Sequence, residues 1–329
     1  MILSGDIGGT KAELALYEPR DGRLVERHAR RVATDAYPSL EDLIVEFLSR
    51  GSETIESAAF GIAGPVVHNR VVGTNLPWVV EEKPLARRLG LPRVEIVNDL
   101  EATAFGLAAL TPDEVVTLEE GRPDPEGSIA VIAAGTGLGE AMLTTDDGVT
   151  IARASEGGHR TYSPRTETEI DLMRYLSDRF GGHVSWERVV SGPGLSNIYE
   201  FLRDTGRAQE PAWLAAERAS GDPNVAIAQA DGKAEIATLA TDLFVDAYGA
   251  EAGNLALQVL ATGGVYVAGG IAPKMRERLS DGRFLAAFRD KGRLGPLLAR
   301  IPVRLVLNER TALLGAAGLA WSRAAARTP

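Results

Sequence analysis

Cysteine is absent from the 329 residues, which excludes disulfides and thiolate-bound zinc and suits a reducing cytoplasm. Basic clusters are missing too. Against 45 Asp and Glu stand 35 Lys and Arg, a formal charge of −10, and no Lys/Arg run is long enough to track a polyanion. Nucleic acid is therefore not an expected partner. No apolar run reaches about 18 residues, and Met1 leads into a strand-like stretch without a basic n-region, so neither membrane insertion nor secretion is indicated. The P-loop spacing G-x-x-x-x-G-K-[ST] occurs nowhere, and there is no low-complexity tract. What is present is an ordinary soluble composition, 45% hydrophobic and 24% charged. The length suits two domains and allows about three quarters of the unfolded surface to be buried.

The chain is organised around its first strand and the turn after it, Ser4-Gly5-Asp6-Ile7-Gly8-Gly9-Thr10-Lys11, which re-emerges as Ala12-Glu13-Leu14-Ala15-Leu16-Tyr17. That pattern predicts a β-hairpin with an exposed backbone turn. Glycines there leave successive amides uncovered by any Cβ, so several N–H groups can converge on phosphate oxygens. Asp6 repels such an anion directly; its chemistry suits Mg²⁺, which is held by one or two carboxylates together with waters and substrate phosphates. A second copy follows: Ser128 to Ala134 is a buried strand, Gly135-Thr136-Gly137 a turn, and Leu138 onwards a strand again. A dinucleotide fingerprint requires a helix at that point, whereas Asp146-Asp147-Gly148 supplies another hairpin turn. With a third glycine pair, Gly269-Gly270, the two hairpins point to a duplicated fold that grips one nucleotide between its halves.

Between these landmarks the chain predicts a β-meander through Ala33, a helix of about twelve residues capped by Ser39, and a strand from Ser57 to Ala63 that stops at Gly64-Pro65. A short helix over 84–89 and a strand over 94–97 end at Asn98-Asp99, before a helix over 101–110. Asn98-Asp99 reads as a helix N-cap and also as a sugar-gripping pair, because ligands gather at the carboxyl ends of strands in α/β sheets; the two roles can coexist. Glu156 and His159 sit in the polar cluster Ser155-Glu156-Gly157-Gly158-His159, and Glu187 precedes Ser191-Gly192-Pro193-Gly194. Helices are expected over 166–180, 195–202 and 212–219, and over 234–262 in one piece or in two around Gly249 or Gly253. A strand over 265–268 leads through Gly269-Gly270 into a helix with Pro273 near its first position, and a strand over 303–307 leads into a helix over 309–325. The expected division is a small N-terminal α/β domain over 1–110, completed by the C-terminal helix 309–325, and a large α/β domain over 111–308.

The motifs stand in one order: GDIGGTK, GIAGPV, TNLPW, VNDLEATAFG, AAGTGLG, SEGGH, ERVVSGPGL and VAGGI. Together they resemble bacterial ATP-dependent glucokinase of the hexokinase-like group, within the actin, heat-shock ATPase and sugar kinase superfamily. GDIGGT alone is shared by many sugar kinases; NLPW, VNDLEA and SEGGH in this order are more specific. The resemblance implies an α/β, duplicated actin-like ATPase (ribonuclease H-like) fold with two domains around a central cleft. It implies phosphorylation of glucose at the 6-hydroxyl by ATP with Mg²⁺, and a homodimer as the common assembly. Residue by residue, Asp99 is then the general base and Asn98 its neighbour on the sugar. Glu156, His159 and Glu187 are the other sugar ligands. Gly8, Gly9 and Thr10 meet the terminal phosphates within an ATP-binding stretch that also takes in Gly5, Asp6 and Ile7, with Asp6 on the metal through water. Gly135, Thr136 and Gly137 take the other phosphates, and Gly269 and Gly270 the nucleoside. Lys11 departs from the pattern, since Asn commonly follows GGT in this family and Lys marks the related repressor/open-reading-frame/kinase group. That group carries a cysteine-rich zinc motif, which this chain cannot have.

Three acids, an amide and an imidazole suit a sugar, whose hydroxyls both donate and accept. Rival readings are a kinase of another hexose or with another donor, a non-catalytic sugar sensor, and an actin-like filament or chaperone ATPase. A repressor-type sensor needs roughly 70 residues of helix-turn-helix ahead of a phosphate hairpin that here begins at residue 5. The filament or chaperone reading leaves the sugar-type cluster unexplained.

Overall fold

The computed structural model describes all residues except 50, 52, 73–75, 77, 147–148 and 326–329. Thr74, Asn75 and Pro77 of the TNLPW stretch, and Asp147 and Gly148 of the third expected turn, lie outside the described residues.

The first third of the chain builds one mixed sheet. Strand β1 (Ile2–Ile7) is buried on both faces apart from Asp6, as its continuous apolar run requires. It pairs antiparallel with β2 (Lys11–Arg20), which pairs antiparallel with β3 (Arg23–Ala33). Helix α1 (Leu40–Leu48) is shorter than expected; Ser39 Oγ caps it by accepting from the Asp42 N–H, and Leu40, Leu43, Ile44 and Phe47 face inward. Strand β4 (Ser57–Ile62) runs parallel to β1. A small meander of β5 (Val66–Val67), β6 (Arg70–Val72) and β7 (Val79–Glu81) precedes helix α2 (Glu82–Leu89). Strand β8 (Glu95–Asn98) closes the sheet in the order β3-β2-β1-β4-β8. Helix α3 (Asp99–Gly106) then starts two residues earlier than expected, because Asn98 and Glu101 form a complete capping box, and it ends in a 3₁₀ turn over Leu107–Ala109.

The remainder repeats the pattern. After β9 (Val115–Glu119) come β10 (Ile129–Ala134), β11 (Leu138–Asp146) and β12 (Val149–Ser155), antiparallel in succession. A helical layer follows: α4 (Glu167–Phe180), α5 (Gly192–Asp204), α6 (Ala212–Ser220), α7 (Pro223–Ala230) and α8 (Glu235–Val259). Ser191 caps α5, so Gly192-Pro193-Gly194 forms its first turn rather than a loop. Asp222 caps α7 with Pro223 at its first position, so Gly221-Asp222-Pro223 ends one helix and starts another. Strand β13 (Gly264–Ala268) lies parallel to β10, helices α9 (Arg276–Ser280), α10 (Arg283–Arg289) and α11 (Gly295–Leu298) intervene, and β14 (Val303–Val306) gives the order β12-β11-β10-β13-β14-β9.

One alternative is settled here and one expectation corrected. Helix α8 is a single piece: Gly249 and Gly253 do not break it but let α10 approach, since a Cβ would lie 2.2 Å from the Phe284 carbonyl oxygen and 2.4 Å from that of Phe288. Pro273 is not near a helix start; turns occupy 270–275 and the helix begins at Arg276. The last helix, α12 (Thr311–Ala325), starts two residues later than expected and packs on β1 and β4 of the first sheet. It crosses α3 at backbone distance: a Cβ on Gly315 would come 1.8 Å from the Ala102 carbonyl oxygen, and one on Gly106 2.0 Å from that of Thr311. Helix α3 in turn touches β10, β11 and β12, so each sheet receives a helix from the far end of the other. No helix among the described residues is long and apolar enough to cross a membrane.

Candidate active site

Both glycine turns occupy the same place in their sheets, three residues between the first two antiparallel strands, at the end where the parallel neighbour also stops. In the first, the Gly8 N–H donates to the Lys11 carbonyl at 2.9 Å and Thr34 Oγ1 donates to the Gly8 carbonyl at 2.8 Å. Lys11 therefore closes this turn through its backbone, and its side chain is exposed. In the second, the Gly135 N–H donates to the Gly137 carbonyl at 2.8 Å, and the Gly135 carbonyl accepts from the Gly192 N–H at 2.8 Å. Gly269 adopts a φ of +85°, and a Cβ there would fall 2.5 Å from the Ala134 carbonyl oxygen, so glycine is required where β13 ends beside the second turn.

Asp6 and Asp99 converge on Gly61. Asp6 is paired with Gly61 in the β1–β4 register, and a Cβ on Gly61 would lie 3.5 Å from the Asp99 Cα. Burial raises the Asp6 carboxyl to about 7, helped by the negative charges of Asp99 and Glu13 and opposed by Arg31. Asp99 is raised to about 6, again chiefly by burial; hydrogen bonds, including the one from the Leu100 N–H at 3.0 Å, pull it back, and the charge of Glu156 adds to the rise. Asn98 is held on both sides: Nδ2 donates to the Gly64 carbonyl at 3.0 Å and Oδ1 accepts from the Leu100 N–H at 2.8 Å. It is thus a true N-cap that also lines a cleft.

Leu100 places this cap against the second sheet, since a Cβ on Gly139 would come 2.3 Å from its side chain. Glu101 makes the same junction polar. Its Oε2 accepts from the Asn98 N–H at 3.3 Å while Oε1 accepts from the Ala154 N–H at 3.2 Å, on the strand that leads to Glu156. Between them lies a recess of about 190 Å³ lined by Pro65, Asn98, Glu101, Arg153, Ser155 and Glu156, among others. Glu156 and His159 project from a 3₁₀ turn with their side chains 58% and 61% exposed, and His159 Nε2 lies 3.8 Å from Glu156 Oε2. Glu187 is reached differently. Its Oε2 accepts from the Leu138 N–H at 3.0 Å, and a Cβ on Gly158 would sit 2.1 Å from the Leu138 carbonyl oxygen, so Leu138 joins the Glu187 segment to the Glu156 turn. The sequence-expected residues are therefore brought together, with Glu187 under the second glycine turn rather than in direct contact with His159.

A larger recess of about 570 Å³ between α4 and α5 is lined by Tyr175, Arg179, Glu200, Arg203 and Asp204. Asp178 lines it too; Arg179 pairs with Glu200 and Arg203 with Asp204 at 2.8 Å, and it holds no member of the cluster.

A family model described as Glucokinase matches residues 3–323. A glucokinase of a Nostoc species is 41% identical over 96% of this chain and 98% of its own, and one from a Synechocystis species 39% identical over 96% of both. The chain belongs to the glucokinase family. A solved glucokinase from an Antarctic psychrotroph superposes with a TM-score of 0.80 at 28% identity, over 98% of each chain. The fold is the actin-like ATPase fold duplicated, and the protein is a glucokinase-family enzyme.

Sequence reasoning missed Glu101 as the link between sheets, Thr34 as a support of the first turn, and a buried cluster of Glu140, Arg160 and Glu251. Glu101 carried a signal, since it stands three residues after Asn98 as in a capping box; its second bond, to a strand more than fifty residues away, carried none.

Proposed function

We propose that this enzyme transfers the terminal phosphoryl group of ATP to the 6-hydroxyl of glucose, giving glucose 6-phosphate and ADP, with Asp99 as general base. The observation that carries the reading is the position of Asp99: first residue of α3, at the junction of the two sheets, beside Asp6 and within the field of Glu156. A carboxylate raised to about 6 is ionised at neutral pH yet more basic than an ordinary aspartate, as a proton acceptor should be. Asp99 takes the hydroxyl proton as the oxygen bonds to the γ-phosphorus and the bond to the ADP oxygen breaks. Because phosphoryl transfer has a loose transition state, the protein's task is alignment and charge neutralisation.

Asn98, Glu156, His159 and Glu187 hold the sugar. The turns Gly8-Gly9-Thr10 and Gly135-Thr136-Gly137 offer amides to the phosphates, and Gly269-Gly270 lies against the nucleoside. Asp6 fits a hydrated Mg²⁺: it is a carboxylate whose ionisation is opposed by burial and by two neighbouring acids, which a cation relieves. Among the described residues no three ligating side chains gather, as suits an ion whose other ligands are waters and phosphate oxygens. When bound, that ion neutralises charge on the phosphate oxygens. The site then lies between a domain of residues 1–110 with the last helix and a domain of residues 111–308, which close over the sugar and exclude water.

The test is an ADP-detecting assay with Mg-ATP and glucose, mannose, fructose, galactose and N-acetylglucosamine, repeated with Asp99→Asn. Turnover on glucose, lost by about 10²–10⁴-fold in the variant with glucose binding retained, supports the reading. Turnover on a different sugar moves the substrate, and near-normal turnover by the variant removes Asp99 as the base.

A further inference from the structure

We propose that Arg160, clamped between Glu140 and Glu251, is the positioning residue of the sugar site, setting at once the turn that bears Glu156 and His159 and the segment that bears Glu187. The inference rests on the reading of those three residues as sugar ligands.

Arg160 follows His159 directly, and every part of it is engaged. Its peptide N–H donates to the Gly157 carbonyl at 2.9 Å and its side-chain Nε donates to the same oxygen at 3.1 Å, so backbone and guanidinium both close the Glu156–His159 turn. One terminal nitrogen lies 3.2 Å from Glu140 Oε2 and also bonds Glu251; the other bonds Gln258. Its carbonyl accepts from the Trp186 N–H at 3.0 Å, one residue before Glu187, and the next residue, Thr161, bridges Ser185. The turn is moulded on the same anchor, since a Cβ on Gly157 would come 1.8 Å from Glu140 Oε2. Glu140 lies on β11, opposite Ser155 in the β11–β12 register, and Glu251 lies midway along α8. The Arg160 side chain thus ties a strand, a helix and the Glu156–His159 turn, while its backbone carbonyl ties the Glu187 segment to the same residue.

Both acids have fully buried side chains, and among the described residues Arg160 is the one arginine paired with them. Removing a partner from such a cluster strands a buried charge. The facing groups are Glu140 from β11, Arg160 from the turn, and Glu251, Asn254 and Gln258 from α8. Beyond α10, Lys291 donates to the Ala250 carbonyl at 2.9 Å, and more distant Arg165 and Glu169 pair with each other. Glu251 is raised to about 8, mainly by burial and further by the charge of Glu140. Glu140 is raised by the same burial, and with one guanidinium between two buried acids the pair gives up its last proton as pH rises through about 8. Above about pH 8 a second negative charge appears in a space built for one, and the clamp loosens.

The test measures glucose KM, ATP KM and kcat of the full-length protein from about pH 7 to about pH 9.5, alongside Arg160→Lys, Glu251→Gln and Glu156→Ala. Lysine keeps the charge but cannot fork between two acids and a carbonyl. Arg160→Lys is expected to raise glucose KM about tenfold while ATP KM and kcat stay within about threefold. The parent's glucose KM is expected to rise above about pH 8, and that rise to vanish in the permanently neutral Glu251→Gln, which also reports should the arginine variant fold poorly. A parental glucose KM in Arg160→Lys, while Glu156→Ala raises it, overturns the positioning role and spares the sugar site. An alkaline rise that persists in Glu251→Gln, or is missing in the parent, also overturns it. An unchanged KM in Glu156→Ala sinks the sugar-site reading and this inference with it.

Discussion

The two halves of the molecule share a backbone and differ in charge. Each has three antiparallel strands, two parallel neighbours, a three-residue glycine turn and a helix that crosses to the other half, and the second adds β9 antiparallel at its edge. In the first half an acid, Asp6, stands two residues before the turn's first glycine, and another, Asp99, opens the crossing helix. The matching places in the second half hold Ala133 and Thr311, and Asn308, ahead of α12, mirrors Asn98. Asn308 is occupied structurally, since Nδ2 bonds Glu114 at 2.6 Å and Oδ1 accepts from the Arg310 N–H at 2.8 Å. The link between third and fourth strands differs as well. In the first half it carries the nine-residue α1; in the second it carries α4 to α8, and Glu156, His159 and Glu187 lie near its start. Backbone amides can be duplicated with the fold, whereas the proposed site at the seam draws its acids Asp6 and Asp99 from one half and Glu156, His159 and Glu187 from the other.

If this asymmetry is functional, its largest consequence falls on Asp6. Asp6→Asn is expected to lower kcat/KM for Mg-ATP about 10–100-fold, the cost typical of losing an outer-sphere metal partner, with part of the loss recovered at high Mg²⁺. A steady-state titration in both nucleotide and metal checks this, and an unchanged metal dependence would show the halves to be electrostatically equivalent. Next comes the symmetric part of the comparison. Gly315→Ala and Gly106→Ala each force a methyl onto the opposing helix backbone, and each is expected to destabilise the protein by about 1–3 kcal/mol. Denaturant melts that show one substitution to be neutral would mean that the α3–α12 crossing is tight on one side only.

The smallest effect is a shift rather than a loss. As the proposed base Asp99 acts in its ionised form, so kcat/KM is expected to rise with pH through about 6 and then level off. Glu156 contributes to that elevation from the other half, so Glu156→Gln should move the rising limb to lower pH even where it weakens sugar binding. A pH–rate profile with an unmoved limb would mean that the two acids do not sense each other.

Much of this was legible in the sequence because the informative features are local. The hairpin strands follow from apolar runs interrupted by glycine, and Asn98 announces itself as a cap by standing after a strand. The family motifs reach their site residues without any knowledge of distance. The mistaken element was also a local reading: Pro273 looks like a helix start but is used in a series of turns, while the choice of one piece or two at Gly249 and Gly253 was decided by contact with α10.

By itself, then, the sequence determined the strand–turn–strand units, their duplication and the chemical types available at the site, because each depends on neighbours a few residues apart. Only the tertiary structure decided which carboxylates stay exposed and which are buried against one another, because desolvation and charge coupling depend on chain segments far apart in sequence. Glu13, Glu101, Glu140 and Glu251 are the same kind of residue in the sequence. Folded, one opposes the ionisation of Asp6, one joins the two sheets, and two share Arg160 beneath the Glu156–His159 turn.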